Sequence, residues 1–73
     1  TTIKAIKSGL SLLKIGGIIV LVIYPGHSGG EKEKNFILDF AKELEYKKYN
    51  VLHYYYPNQN NRPPEVMVIR KRK

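Results

Sequence analysis

The seven residues from Ile18 to Tyr24 carry no charged or amide side chain, and they constrain the fold more than any other part of the sequence. Ile, Val and Leu fill the first six positions, and side chains of this kind favour extended backbone. A strand with one buried face alternates apolar and polar residues, whereas an uninterrupted apolar run is typical of a strand covered on both faces. We therefore predict an interior parallel strand in an α/β fold.

Two amphipathic helices flank this strand in the sequence. Apolar residues recur at helical spacing over 3–14, with Thr2 in position to cap the helix. A second helix is predicted over 31–45, where Glu31 and Glu33 suit the positive end of the helix dipole. Its apolar stripe consists of Phe36, Ile37, Phe40, Ala41 and Leu44.

Strand-forming residues fill 49–56 and 66–69, and prolines bound the connection between them. The order is therefore α-β-α-β-β, with the last two strands as an antiparallel pair and the last strand inserted between the other two. That arrangement leaves strand 18–24 at an open edge, which natural sheets normally protect. We expect missing sequence or a second copy of the chain to pair with it.

Composition narrows the class of protein. The chain has 73 residues, thirteen Lys and Arg against six Asp and Glu, and a net charge of +7, which favours polyanionic partners such as RNA. Cysteine is absent and no metal-ligand spacing is present, so we expect no metal site. The apolar run is too short to span a bilayer, so we expect no membrane partner. A cytoplasmic location is our separate expectation. The chain begins at Thr1 without Met, so we expect either that processing or truncation removed residues or that the chain was cut from a larger protein.

The loop from Tyr24 to Gly30 is predicted to face a ligand, because loops that follow the carboxyl ends of parallel strands line the ligand crevice of open α/β sheets. His27 is a candidate general base, and Tyr24 is a candidate for stacking on a planar ligand. Gly26, Gly29 and Gly30 would let a ligand approach the backbone, but they match no phosphate-loop pattern. The alternatives are a solvated histidine and a tyrosine that closes the core.

The connection 57–64 is longer than an ordinary hairpin loop and is a second candidate for binding. Its amides pair donors with acceptors, and Arg62 has the chemistry to contact phosphate. The substrate-binding candidates in this connection are Asn58, Gln59, Asn61, Arg62 and Pro64. An ordinary solvated turn is the alternative.

Tyrosines cluster with basic residues near the carboxyl end of the chain and resemble a stacking surface for single-stranded RNA. They are Tyr46, Tyr49, Tyr54, Tyr55 and Tyr56. Alternation along a strand predicts that at least half of them cover the sheet. The tail 70–73 is expected to be a frayed, solvated end, with phosphate contact as the alternative.

Six segments together point to a family: 1–6, 12–17, 22–24, 26–30 with Glu33-Lys34, 49–52 and 58–64. The first three resemble the later half of a class I S-adenosylmethionine-dependent methyltransferase. The others resemble the small bacterial rRNA methylase-like family, whose members are assigned to methylation of the amine of 5-aminomethyl-2-thiouridine at the tRNA wobble position. This chain has Pro25, Ser28 and Arg62 where that family usually has His, Pro and Asn.

The resemblance implies that residues 1–73 are the carboxyl-terminal part of a Rossmann-like methyltransferase domain, whose absent half holds S-adenosylmethionine. It implies that Tyr24 and His27 are the catalytic candidates and that the anticodon loop of a tRNA is the partner. The chain alone is then inactive and carries no cofactor-binding residue. The competing hypothesis is a stand-alone basic RNA-binding module without enzymatic activity that pairs as a homodimer along strand 18–24.

Overall fold

A computed structural model of the protein describes residues 2–73. Five elements follow in the predicted order α-β-α-β-β, although the helices start and end slightly earlier than expected. They are α1 (Thr2–Leu12), β1 (Ile18–Ile23), α2 (Gly30–Lys42), β2 (Tyr49–Tyr54) and β3 (Glu65–Lys71). None of the helices in this part of the chain has the length and apolar content needed to cross a bilayer.

The three strands form one sheet in the order β1-β3-β2, with β3 antiparallel to both neighbours. This confirms the predicted insertion of the last strand. Because β1 and β2 are both antiparallel to β3, they are parallel to each other. The register places Ile23 opposite Glu65 and Tyr54 opposite Val66. The loops that follow β1 and β2 therefore leave the sheet at the same end.

The predicted open edge of β1 is confirmed within residues 2–73, whereas its interior position in a larger sheet stays a prediction. In the described sheet β1 is an edge strand, and its hydrogen-bonded neighbour is antiparallel. Only one face of β1 is covered. On the other face Ile18, Val20 and Val22 are 54%, 55% and 51% exposed. The physical reason is that α1 and α2 both pack on the covered face, so that this apolar face has no cover from the described residues.

The core lies between the two helices and the covered face of the sheet. Its buried residues are Ile6, Leu10, Ile23, Ile37, Ala41, Met67 and Ile69. Phe36 was predicted to belong to the apolar stripe of α2, but it is exposed and lies outside the buried core. Thr2 does not precede the helix as a cap: α1 begins at Thr2, whose hydroxyl donates a hydrogen bond to Glu33 Oε2 at 3.3 Å.

The basic tail is more ordered than predicted. Lys71 belongs to β3, and its Nζ atom donates a hydrogen bond to the carbonyl of Leu13 at 3.1 Å. The backbone N–H of Arg72 donates to the carbonyl of Lys48 at 2.6 Å, and its guanidinium donates to the carbonyl of Tyr46 at 3.1 Å. The β3 strand thus continues in contact with the segment before β2, and the expectation of a frayed end is wrong as far as Arg72.

The tyrosines are also more exposed than alternation predicted. Tyr49 packs against the core, whereas the other four are more than half exposed: Tyr46, Tyr54, Tyr55 and Tyr56. Tyr54 lies on the uncovered face, and β2 ends before Tyr55 and Tyr56, so strand alternation does not apply to these two. Aromatic surface is therefore available at the end of the sheet where the two loops lie.

Candidate substrate-binding site

The loop between β1 and α2 turns tightly and brings the rings of Tyr24 and His27 together. Their centroids are 5.8 Å apart, with the planes at 79°, an edge-to-face contact. The N–H of His27 donates to the carbonyl of Tyr24 at 3.3 Å, and the N–H of Gly30 donates to the carbonyl of His27 at 2.8 Å. These backbone bonds fix the two predicted catalytic candidates on one side of the loop.

Two of the loop glycines have structural roles that side chains would disturb. Gly29 has a φ of 76°, in the left-handed region that glycine adopts without strain. A Cβ atom at Gly30 would collide with the carbonyl oxygen of Tyr24, so only glycine lets α2 start this close to the end of β1. Neither Gly29 nor Gly30 lines the cleft described next.

The first cleft joins residues from both loops. It has a volume of about 230 Å³ and is lined by Tyr24, Gly26, His27, Arg62 and Pro64. A Cβ at Gly26 would lie 3.4 Å from the carbonyl oxygen of Arg62, so the two loops are close to contact. The structure thus brings together five site residues predicted from segments more than thirty positions apart.

A second cavity of about 250 Å³ shares Arg62 with the first. Its walls come from α2, the segment after β2 and the start of β3, and include Glu31, Lys34, Tyr55, Tyr56, Gln59, Arg62 and Glu65. Of the remaining predicted residues, Gln59 lies here, whereas Asn58 and Asn61 are exposed and line neither cavity. The predicted amide cluster therefore does not converge on one point.

Sequence reasoning missed the ionic cluster in the wall of this second cavity. The buried carboxylate of Glu65 accepts a hydrogen bond from His53 Nε2 at 2.6 Å and pairs with Lys34 Nζ at 2.8 Å. The ring of His53 also stacks on Tyr55, with centroids 4.9 Å apart. One signal was available in the sequence: Glu65 is the single charged residue between Pro63-Pro64 and the apolar run of β3.

The ionic cluster shifts the pKa values of two of its members. Burial raises the pKa of Glu65, but the hydrogen bonds from Lys34 and His53 outweigh burial, so that the pKa lies below its usual value. The hydrogen bond to Glu65 is the main reason that the pKa of Lys34 is raised, against the opposing effect of burial. Both groups are therefore held in their charged forms.

Arg62 has a different setting. Its φ is 52°, in the left-handed region, and its guanidinium lies 3.4 Å from Glu31 Oε2. Both side chains of this pair are well exposed, at 58% and 47%. Exposed ion pairs contribute little to stability, so this contact leaves Arg62 able to change partner.

The residues around the clefts do not fit S-adenosylmethionine by themselves. A carboxylate commonly binds the ribose hydroxyls of an adenosine cofactor. Here Glu31 is paired with Arg62, Glu33 accepts from Thr2, and Glu65 is paired with Lys34 and His53. Within residues 2–73, no three His, Cys, Asp or Glu side chains are grouped to hold a metal ion either.

Comparison with known proteins now adds to this geometry. The family model described as "Putative rRNA methylase" matches residues 1–70. Among curated proteins, a chloroplastic tRNA (mnm(5)s(2)U34)-methyltransferase from Arabidopsis thaliana is 43% identical over 44 residues, which is 60% of this chain and 16% of that protein.

Solved structures agree with the family match. A "putative rRNA-methylase" from Clostridium thermocellum superposes with a TM-score of 0.91 and 41% identity over 96% of this chain. A "putative methyltransferase" from Streptococcus mutans, crystallised in complex with SAH, has a TM-score of 0.87 and 40% identity over 96% of this chain. An rRNA methylase from Streptococcus thermophilus has a TM-score of 0.87 and 33% identity over 99% of this chain.

The sheet, the helices packed on it and these neighbours define an α/β segment of the methyltransferase type. The chain belongs to the rRNA methylase family whose model it matches. It spans 38% to 40% of the length of the three solved relatives and 16% of the curated one.

Proposed function

We propose that residues 1–73 are the carboxyl-terminal part of an S-adenosylmethionine-dependent methyltransferase that acts on RNA in the cytoplasm. The observation that carries the proposal is the meeting of Tyr24, His27 and Arg62 in one cleft of a chain that belongs to the rRNA methylase family. A relative named for the tRNA nucleoside mnm(5)s(2)U34 supports a modified wobble uridine as the target. The anticodon loop of a tRNA is then the partner.

The chemistry proposed for this chain is substrate binding and proton removal. Methylation of an amine requires the nitrogen lone pair, so the nucleophile must be unprotonated when it reacts. His27 is the residue proposed to take that proton, and the edge-to-face contact with Tyr24 orients its ring. Tyr24 is proposed to stack its ring on the nucleobase of the target, and about half of the surface of Tyr24 is exposed.

The methyl donor is proposed to bind residues outside this chain. The buried carboxylate in the wall of the second cavity, Glu65, is committed to Lys34 and His53, and cofactor binding is assigned to the part of the protein that would precede Thr1. The same part is proposed to cover the exposed face of β1 and to pair with its free edge.

The test is a methyl-transfer assay on a longer protein that extends before Thr1. An anticodon stem-loop that carries 5-aminomethyl-2-thiouridine serves as substrate. His27→Ala is expected to lower kcat by about 100-fold, the lower range for a general base, with unchanged affinity for S-adenosylmethionine. Tyr46→Ala is the control, because Tyr46 is an exposed aromatic residue that lines neither cavity.

Two outcomes would count against the proposal. Full turnover in His27→Ala would remove His27 from the site. Absence of methyl transfer to any RNA by the wild-type longer protein would refute the enzymatic function.

A second function, a stand-alone RNA-binding module, is favoured by the exposed apolar face and free edge of β1. Two copies that pair along β1 would hide this edge, and the net charge of +7 would attract RNA. This hypothesis predicts RNA binding by the 73-residue chain alone, with no dependence on S-adenosylmethionine.

A further inference from the structure

We propose that Arg62 binds the phosphate between the target nucleotide and its neighbour, and that the second cavity receives this neighbouring nucleotide. The proposal rests on the proposed function, because it takes RNA as the substrate. It adds a subsite and a ligand group to the cleft that contains Tyr24 and His27.

Position is the first argument. Arg62 lines both the first cleft and the second cavity, so this residue lies at the boundary between the two: its backbone is close to Gly26 of the first cleft, and its guanidinium reaches Glu31 in the wall of the second cavity. A nucleoside held against Tyr24 and His27 carries a phosphate on each side. A chain that continues from the first cleft into the second cavity brings one of these phosphates to the boundary, where Arg62 lies.

The backbone of Arg62 is the second argument. A φ of 52° costs most side chains roughly 1–2 kcal/mol, and the residues that commonly adopt it are Gly, Asn and Asp. An arginine at such a position is therefore disfavoured by the local backbone. Conformations of this kind concentrate at ligand-binding segments, where the side chain has a use that offsets the strain.

The two cations in the walls of the second cavity, Lys34 and Arg62, differ in how firmly they are held. Lys34 is held 2.8 Å from Glu65, with exposed fractions of 21% and 8% for the two side chains, and it is committed to that partner. Arg62 is 3.4 Å from Glu31 and is 58% exposed. A phosphate offers the guanidinium two parallel hydrogen bonds, which are stronger than this long contact. Arg62 can therefore exchange Glu31 for a phosphate.

The aromatic wall is the fourth argument. Tyr55 is occupied by its stack on His53, whereas Tyr56 is 63% exposed and faces the same cavity. Base stacking on an aromatic side chain tolerates any base, and Gln59 adds an amide in the same wall. The second cavity thus combines a cation at its entrance with an aromatic surface inside, which suits a nucleotide.

The experiment is a double-mutant cycle between Arg62 and single phosphates. Binding of the full-length protein that contains this chain is measured by fluorescence anisotropy on the anticodon stem-loop. In a series of stem-loops, one phosphate at a time is replaced by an uncharged methylphosphonate. Arg62→Gln removes the cation, Glu31→Gln removes its competitor, and Arg72→Gln is the control for loss of one positive charge, since Arg72 contacts Tyr46 instead.

One phosphate next to the target nucleotide is expected to contribute more to the binding affinity than the other phosphates. Its neutralisation should lower wild-type affinity about tenfold, as for the loss of one charged hydrogen-bonding pair. Arg62→Gln should bind unmodified RNA with about tenfold lower affinity than the wild type. Replacing that phosphate by methylphosphonate should lower the affinity of Arg62→Gln no further. Glu31→Gln should bind more tightly than the wild type, and Arg72→Gln should keep the full sensitivity.

The proposal is overturned if Arg62→Gln keeps wild-type sensitivity at every phosphate, if no phosphate next to the target matters, or if the wild type does not bind the RNA. The methyl-transfer assay on the same protein is read separately. Transfer without the Arg62 coupling would refute this subsite alone, whereas coupling without transfer would refute the enzymatic proposal alone.

Discussion

The Nζ atom of Lys34 lies 2.8 Å from Oε2 of Glu65, and this ion pair joins α2 to the first residue of β3 in the wall of the second cavity. The other oxygen of the carboxylate accepts from His53, so the same residue also joins β2. Glu65 follows Pro64, which lines the first cleft. This buried carboxylate therefore ties the end of the connection between β2 and β3 to both α2 and β2.

Glu65→Gln is expected to lower the free energy of unfolding by about 2 kcal/mol at pH 7. The amide of Gln keeps one oxygen that can accept from Lys34 or His53. It lacks the negative charge that stabilises the partly buried ammonium of Lys34. Urea unfolding followed by circular dichroism measures the change. Glu43→Gln is the matched control, because Glu43 is exposed at the end of α2 and should change stability by less than about 0.5 kcal/mol. Equal stability of the two variants would contradict the assigned role of Glu65.

The pKa shift of Glu65 predicts how stability depends on pH. Because the pKa of Glu65 is lower in the folded than in the unfolded state, the carboxylate contributes fully above its ordinary pKa of about 4.5. This contribution is lost as the pH falls from there through the folded-state pKa, since the proton binds more tightly to the unfolded chain.

Unfolding free energies measured between pH 7 and pH 3 test this expectation. The wild type should lose more stability on acidification than Glu65→Gln, and the two curves should approach each other at the acidic end. Parallel curves over the whole range would show that Glu65 is not the group responsible.

Local sequence signals predicted the order of the five elements. β-branched side chains predicted β1, and the parallel course of β1 and β2 explains why Tyr24 and Arg62 meet although they are far apart in the sequence. The cluster of Glu65 with His53 could not be predicted, because it depends on which residues of β2 and β3 lie side by side. The exposure of Val20 agrees with the expectation that strand 18–24 needs neighbours from outside this chain, since the described residues cover only one face of β1.

Gly30→Ala is expected to cost about 3 kcal/mol of stability, as in severe overpacking, because the new methyl group would collide with the carbonyl oxygen of Tyr24. Backbone cannot rotate away as a side chain would. Gly29→Ala is the comparison, since its Cβ meets open space and only the positive φ opposes it, at about 1 kcal/mol. Thermal unfolding of both variants measures the difference, and a Gly29→Ala cost equal to or above that of Gly30→Ala would contradict the packing described for the start of α2.

The uncovered face of the sheet predicts self-association of the 73-residue chain. On this face Val20 lies beside Val68, and Val68 lies beside Leu52, so that one apolar row crosses all three strands. Contiguous exposed apolar surface next to a free strand edge promotes association between copies. Sedimentation velocity should therefore show dimers or larger species that grow with concentration.

Val20→Lys should shift the 73-residue chain toward the monomer, because a charged side chain in the middle of this row would have to be desolvated when two faces meet. Leu12→Lys is the control, because it adds the same charge outside the exposed sheet face. Leu12 is 83% exposed and is the last residue of α1. In the longer protein the same Val20→Lys change should impair folding, because there the face is proposed to be buried. A monomeric wild-type chain, or equal effects of the two lysine variants on association, would contradict the prediction that this exposed apolar face drives self-association.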